Sequence, residues 1–178
     1  GTDLAASLTG GVIYFQPKNL DHPHPVVNRL DISLPLILIY CGYKTPTAQV
    51  LAQVAKNWQH KTAELEMLYR SMAKITRSGF EALQNQQLNA FYQACSDYQS
   101  FMSNLGVNDK TLQTIIDLLL DCESIHTAKI SGSGLGDCVL GIGTLNHCLP
   151  KAQQALKNYQ QIQVNISLDG AITKQIPS

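Results

Sequence analysis

Apolar positions recur along this chain with two different periods, and the switches between them mark the elements. Residues 11–15 (GVIYF) are β-branched and aromatic, which predicts a strand. Residues 36–40 form a continuous apolar run of strand length and predict a buried strand. Pro46 and Thr47 open a helix, because proline suits the first helical turn, with Ala48, Leu51, Ala55 and Trp58 on one apolar face. Three-four spacing then takes over. Leu65, Leu68, Tyr69, Met72, Ile75, Phe80 and Leu83 make one stripe; Leu88, Phe91, Tyr92, Cys95, Met102 and Leu105 make a second, stopped by Gly106. Asp109 caps a further helix whose face is Leu112, Ile115, Ile116 and Leu119. Beyond it, residues 128–131 and 138–142 read as strands. Pro150 starts a helix running to about Tyr159, and residues 163–168 alternate Val164, Ile166 and Leu168 as a strand with one wet side.

From residue 34 onward the order is strand, helices, strand, strand, helix, strand. That order predicts an α+β class, a ferredoxin-like split β-α-β domain with an extra helical hairpin in its first crossover. Residues 1–33 fall outside that unit. They hold one strand and a proline-rich connection with room for a second, short one, and their pairing partner is expected elsewhere. The boundary is drawn between 1–33 and 34–178. Thr2 and Asp3 stand directly before small helix-forming residues with no leader, so a piece of a larger protein is expected.

Composition then narrows the function. Lys+Arg and Asp+Glu are both 13, so no basic excess points to nucleic acid. No apolar run reaches the roughly 18 residues a membrane span needs. The five cysteines (Cys41, Cys95, Cys122, Cys138 and Cys148) form no C-x-x-C pair and sit mostly in apolar segments. Reduced, buried cytoplasmic thiols are expected rather than a disulfide framework or a zinc site.

The main chemical signal is KISGSGLGDC at 129–138. Gly132, Gly134 and Gly136 alternate, which permits positive φ and a nest of N–H groups suited to phosphate. Ser131 and Ser133 add hydroxyls. A Walker loop is excluded because no Gly-Lys-Ser/Thr follows, and a dinucleotide fingerprint because a strand follows instead of a helix. The bland alternative is a glycine-rich hairpin without a ligand. Tyr43, Lys44, Thr45 and Thr47 follow a buried strand and open a helix, a setting that favours either an anion or a plain cap. Asp3 reads on its own as a solvated side chain or a helix cap. His22 and His24, two apart in a proline-rich loop, read as surface histidines.

Three segments together resemble the C-terminal half of a GHMP-family small-molecule kinase, with mevalonate kinases the nearest branch. They are GTDLAASLTGGVIYF, LILIYCGYKTPTAQVL and KISGSGLGDCVLGIG, and the closing IQVNISLDG fits the same pattern. The resemblance implies an ATP-dependent kinase, using ATP and Mg2+, that phosphorylates the hydroxyl of mevalonate in isoprenoid precursor synthesis. It implies that Asp3 is the catalytic carboxylate. It implies that Ser131, Gly132, Ser133, Gly134, Leu135, Gly136 and Asp137 support the phosphate site, that Tyr14, Lys44, Thr45 and Thr47 lie at the small-molecule substrate, and that no residue here is a metal ligand. Asp137 departs from the glycine many mevalonate kinases carry there, and a Gly-Asp-Cys ending is more similar to bacterial phosphomevalonate kinases. Phosphomevalonate kinase or a sugar kinase of the superfamily is the alternative within the class, and a non-catalytic phosphate-binding module the alternative outside it. The family's Gly-Leu-Gly-Ser-Ser phosphate segment is not in these residues, so the chain alone is expected to be inactive without the N-terminal half of the kinase. A cytoplasmic protein, with a homodimer possible, completes the expectation.

Overall fold

The computed structural model describes residues 1–18 and 23–171, in two compact units. One comprises Gly1–Leu34 with the segment from Asn165 onward, and the other Pro35–Val164. His22 lies outside the described residues.

In the first unit a short helix, α1 (Thr2–Thr9), precedes two strands, β1 (Val12–Gln16) and β2 (Val26–Leu30). These strands pair with each other, antiparallel, from Val12↔Leu30 to Gln16↔Val26. The pairing corrects the expectation that this segment needs an outside partner: the proline-rich connection is long enough to fold its own second strand back. The returning chain is tied in by the Gly11 N–H on the Ser167 carbonyl (2.7 Å). The Arg29 guanidinium also donates to the carbonyls of Thr9 (2.8 Å) and Leu168 (2.6 Å).

The second unit runs β3 (Leu36–Tyr40), α2 (Thr47–Trp58), α3 (Thr62–Gln84), α4 (Leu88–Leu105), α5 (Lys110–Leu120), β4 (Ile125–Ser131), β5 (Cys138–Gly143), α6 (Pro150–Leu156) and β6 (Gln160–Val164). Its four strands form one antiparallel sheet in the order β4-β5-β3-β6. The first strand thus sits between the third and the fourth, the ferredoxin-like arrangement that the element order predicts. Cross-strand rows build the core face: Ile39, Val139 and Ile130 align in one row, and Ile37, Gly141 and Ala128 in the next. All of these except Gly141 share one buried cluster with Leu112, Ile115 and Leu119 of α5 and with Val50 and Val54 of α2.

Three sequence expectations shift. The buried stripe of α2 is Val50 and Val54, while Leu51 is 59% exposed. The stripe is offset by one residue, about 100° around the helix, and Trp58 anchors it by donating its indole N–H to the Leu105 carbonyl (3.1 Å). The last strand is Gln160–Val164, not 163–168. Helix α6 stops at Leu156, and β3 offers only five residues, exhausted once Leu36 meets Val164. Finally, Cys122 and Cys148 are disulfide-bonded, leaving Cys41, Cys95 and Cys138 free. The two lie 26 residues apart in sequence. The β4–β5 hairpin returns the chain so that they meet in an isolated antiparallel bridge, a meeting no local spacing could signal.

The helical crossover follows its periodicity in the main, with Met72, Leu83, Met102 and Leu105 buried, while Tyr69 and Leu88 of the expected stripes are exposed. Helices α3 and α4 form a tight hairpin in which a Cβ at Gly79 would lie 3.1 Å from the Ala94 Cβ. Gly106 ends α4, its N–H returning to the Ser103 carbonyl (3.0 Å). Asp109 caps α5, accepting from the N–H groups of Thr111 and Leu112, both at 2.9 Å. Among the described residues no helix is long and apolar enough to cross a membrane.

Candidate functional site

The glycine-rich stretch is the tip of the β4–β5 hairpin, closed by the pair Ser131↔Cys138. Its backbone has positive φ at Gly132, Gly134, Leu135, Gly136 and Asp137. Such a run directs successive N–H groups to different sides. Two of them turn inward: the Leu135 N–H donates to the Val107 carbonyl and the Asp137 N–H to the Tyr43 carbonyl, each at 2.8 Å. The N–H groups of Ser133, Gly134 and Gly136 have no acceptor among the described residues. The loop is therefore half anchored and half unsatisfied.

The anchors come from the two places the chain passes beneath it. After β3, Thr45 donates its hydroxyl to the Leu135 carbonyl (2.5 Å), and the Cys41 N–H donates to the Asp137 carbonyl (2.9 Å). After α4, Val107 fills the space beside Gly134, where a Cβ would lie 2.3 Å from the Val107 oxygen. At Gly136 a Cβ would press on the Tyr43 ring at 2.9 Å. Both glycines are required by close backbone approach. Gly132 differs, since a Cβ there would meet nothing within 4 Å.

Electrostatics at the loop rest on one pair. The Lys44 ammonium lies 2.7 Å from the Asp137 carboxylate, with both side chains partly exposed. The hydrogen bond that Lys44 donates to the Asp137 carboxylate, then that carboxylate's charge, holds Lys44 above the usual lysine range. Burial first, and then the Asp137 carboxylate, pushes the neighbouring Cys138 thiol up to about 11. At neutral pH that thiol is protonated and a poor nucleophile.

The candidate residues thus fall into two groups. Lys44 and Thr45 are brought onto the loop formed by Ser131, Gly132, Ser133, Gly134, Leu135, Gly136 and Asp137. Thr47 is the first residue of α2 and exposed, with no hydrogen bond to the loop among the described residues. Asp3 and Tyr14 belong to the first unit. Asp3 lies in the first turn of α1, exposed, while Gly1 holds the N-cap position, so Asp3 is not the cap of that helix. Tyr14 is half-buried in β1 opposite Asn28. Tyr43, singled out in the sequence with Lys44 and Thr45, holds the loop through its backbone carbonyl, and so does Val107, which carries no chemical signature in sequence, being an ordinary apolar residue after a helix stop. Among the described residues no three His, Cys, Asp or Glu side chains gather in a group that could hold a metal. A groove of about 510 Å³ between α3 and α4, lined in part by Lys74, Ile75, Asp97 and Phe101, is separate from the loop.

Comparison with known proteins agrees with this architecture. Residues 80–160 match the family model described as GHMP kinases C terminal. A mevalonate kinase of Thermococcus onnurineus is 25% identical over 148 residues, 80% of this chain and 42% of that protein. The chain therefore spans about two fifths of the length of the curated relatives it matches. Among solved structures, L. major mevalonate kinase in complex with R-mevalonate superposes with a TM-score of 0.73 at 20% identity, covering 91% of this chain and 51% of that one. Streptococcus pneumoniae phosphomevalonate kinase, in complex with phosphomevalonate and AMPPNP, gives 0.58 at 14% identity, covering 79% of this chain and 43% of that one. At these identities the likenesses show a shared fold.

Proposed function

From the premise that this chain resembles the C-terminal part of GHMP-family kinases in sequence and in fold, we propose that it belongs to an ATP-dependent kinase of the mevalonate pathway, with the hydroxyl of mevalonate as acceptor. The observation that carries the reading is the half-anchored loop. The N–H groups of Ser133, Gly134 and Gly136, without acceptors among the described residues, are a fitting cradle for phosphate oxygens. ATP, when bound, supplies the γ-phosphoryl group. In such transfers the protein contributes mainly position and charge stabilisation. Ser133, Gly134 and Gly136 would hold phosphate oxygens, while Thr45, Val107 and Tyr43 keep the loop from moving. Lys44 would offset anionic charge at the same mouth, and Thr47 and Tyr14 would line the acceptor. Asp3 would accept the proton of the attacking hydroxyl. Mg2+ would be held mainly by the nucleotide phosphates, since the one carboxylate placed at the loop, Asp137, is already paired with Lys44.

The Lys44–Asp137 pair favours a second reading within the class. A lysine at the loop mouth also suits an acceptor that already carries phosphate, as in phosphomevalonate kinase. One experiment addresses both. Full-length protein is assayed for ATP consumption against mevalonate, phosphomevalonate and a sugar panel, alongside Asp3→Asn. Transfer to mevalonate is expected, with kcat of Asp3→Asn lower by at least about 10²-fold and the KM for ATP little changed. Transfer to phosphomevalonate alone would select the second reading. No transfer from a folded full-length protein would support the non-catalytic phosphate-binding module.

A further inference from the structure

Helix α4 carries a row of polar and aromatic side chains along the outer edge of the sheet. Strand β4 is an edge strand by sheet order, so its outward N–H and C=O groups need partners from elsewhere. Tyr92 stacks on His126 with ring centroids 4.6 Å apart. One turn on, the Ser96 and Thr127 hydroxyls are 2.9 Å apart. A further turn on, the Gln99 side-chain oxygen accepts from the Ile130 N–H at 2.8 Å. Ile130 is fully buried and Gln99 nearly so, at 7% exposure. The Gln99 amide nitrogen has no partner among the described residues, so only its oxygen is in use.

Ile130 is two residues before Gly132, where the glycine-rich loop begins. The far side of that loop is held by the end of the same helix, through the Val107 carbonyl on the Leu135 N–H. Trp58 in turn holds that helix end at Leu105. We infer that Gln99 is a positioning residue for the glycine-rich loop: it fixes the strand that enters the loop, as Val107 fixes its tip, so that α4 sets the height of the Ser133, Gly134 and Gly136 N–H groups. The consequence for catalysis rests on the kinase reading above. The mechanical claim does not.

The test uses full-length protein and two variants, read by site-resolved amide exchange and by kinetics. Gln99→Met keeps length and apolar volume but removes the acceptor. Gln99→Glu keeps an oxygen at the same reach, with the Lys129 ammonium on the carbonyl of Ile130 to offset its charge. In Gln99→Met, exchange at Ile130 and at the anchored loop amides of Leu135 and Asp137 is expected to quicken about 10-fold, the scale of one lost hydrogen bond, while β3 and β5 keep their protection. The KM for ATP is expected to rise several-fold with the acceptor KM unchanged, and Gln99→Glu to restore the slow exchange. Unchanged exchange in folded Gln99→Met would overturn the inference. So would a uniform loss across β3, β4 and β5, which would make Gln99 a general core residue. A parent that transfers no phosphate but shows the local exchange effect would remove the kinase reading and leave the positioning role standing.

Discussion

At the scale of single residues, the three loop glycines have different duties despite their even spacing. Gly134 and Gly136 are glycine because Val107 and Tyr43 occupy the space a side chain would need. Gly132 is glycine for its backbone alone, with φ of 90° and open space where a Cβ would point. Gly134→Ala should therefore force the loop off Val107 and lower stability by about 1–3 kcal/mol, the usual scale for overpacking. Gly132→Ala should cost about 1 kcal/mol, the scale of an unfavourable backbone conformation. Urea denaturation of the two variants measures both, and equal costs would refute the distinction.

At the scale of elements, Asp109 offers a clean energetic check. Its carboxylate accepts from two of the N–H groups that α5 leaves unsatisfied. Asp109→Ala should destabilise by about 1 kcal/mol, visible as a lower urea midpoint with an unchanged slope. This cap, the Gly106 stop and most of the stripes of α3 and α4 were legible in the sequence, because each depends on neighbours within one or two turns; Tyr69 and Leu88 fit the period but are exposed. The stripe of α2 was misread by one position, since Ala48, Leu51 and Ala55 also satisfy a helical period. Only the packing of Trp58 on the end of α4 decides between the two faces. The end of β6 was misread for a related reason. Alternation continues past Val164, but the partner strand does not. The contacts of Tyr92, Ser96 and Gln99 with β4 were not legible: the spacing puts Tyr92 on the apolar stripe, and nothing within the helix signals that Ser96 and Gln99 cover a sheet edge. In the candidate site, the glycine run and Lys44 could be picked out from residue type, whereas the anchoring roles of Val107 and Tyr43 reside in backbone carbonyls, which every residue has.

At the scale of the whole molecule, the second unit is a sheet backed by helices and cross-linked once. The Cys122–Cys148 bond encloses β4, the glycine-rich loop and β5. Closing a loop of that length restricts the unfolded chain by about 3 kcal/mol. Reduction should lower unfolding stability by about that amount without abolishing the fold, because Cys122 sits in a core that packs regardless of the bond. Equal stability with and without reductant would contradict this. The first unit has its own hairpin and its own ties to the returning chain, and it carries Asp3 and Tyr14.

The central claim is that the loop holds the phosphates of a nucleotide with three particular N–H groups. The most direct measurement is the backbone amide spectrum of isotope-labelled full-length protein titrated with a non-hydrolysable ATP analogue. The resonances of Ser133, Gly134 and Gly136 should shift most. Those of Leu135 and Asp137, whose N–H groups are committed to Val107 and Tyr43, should move less. A saturable titration that leaves all five unmoved, or no binding by the folded protein, would contradict the account.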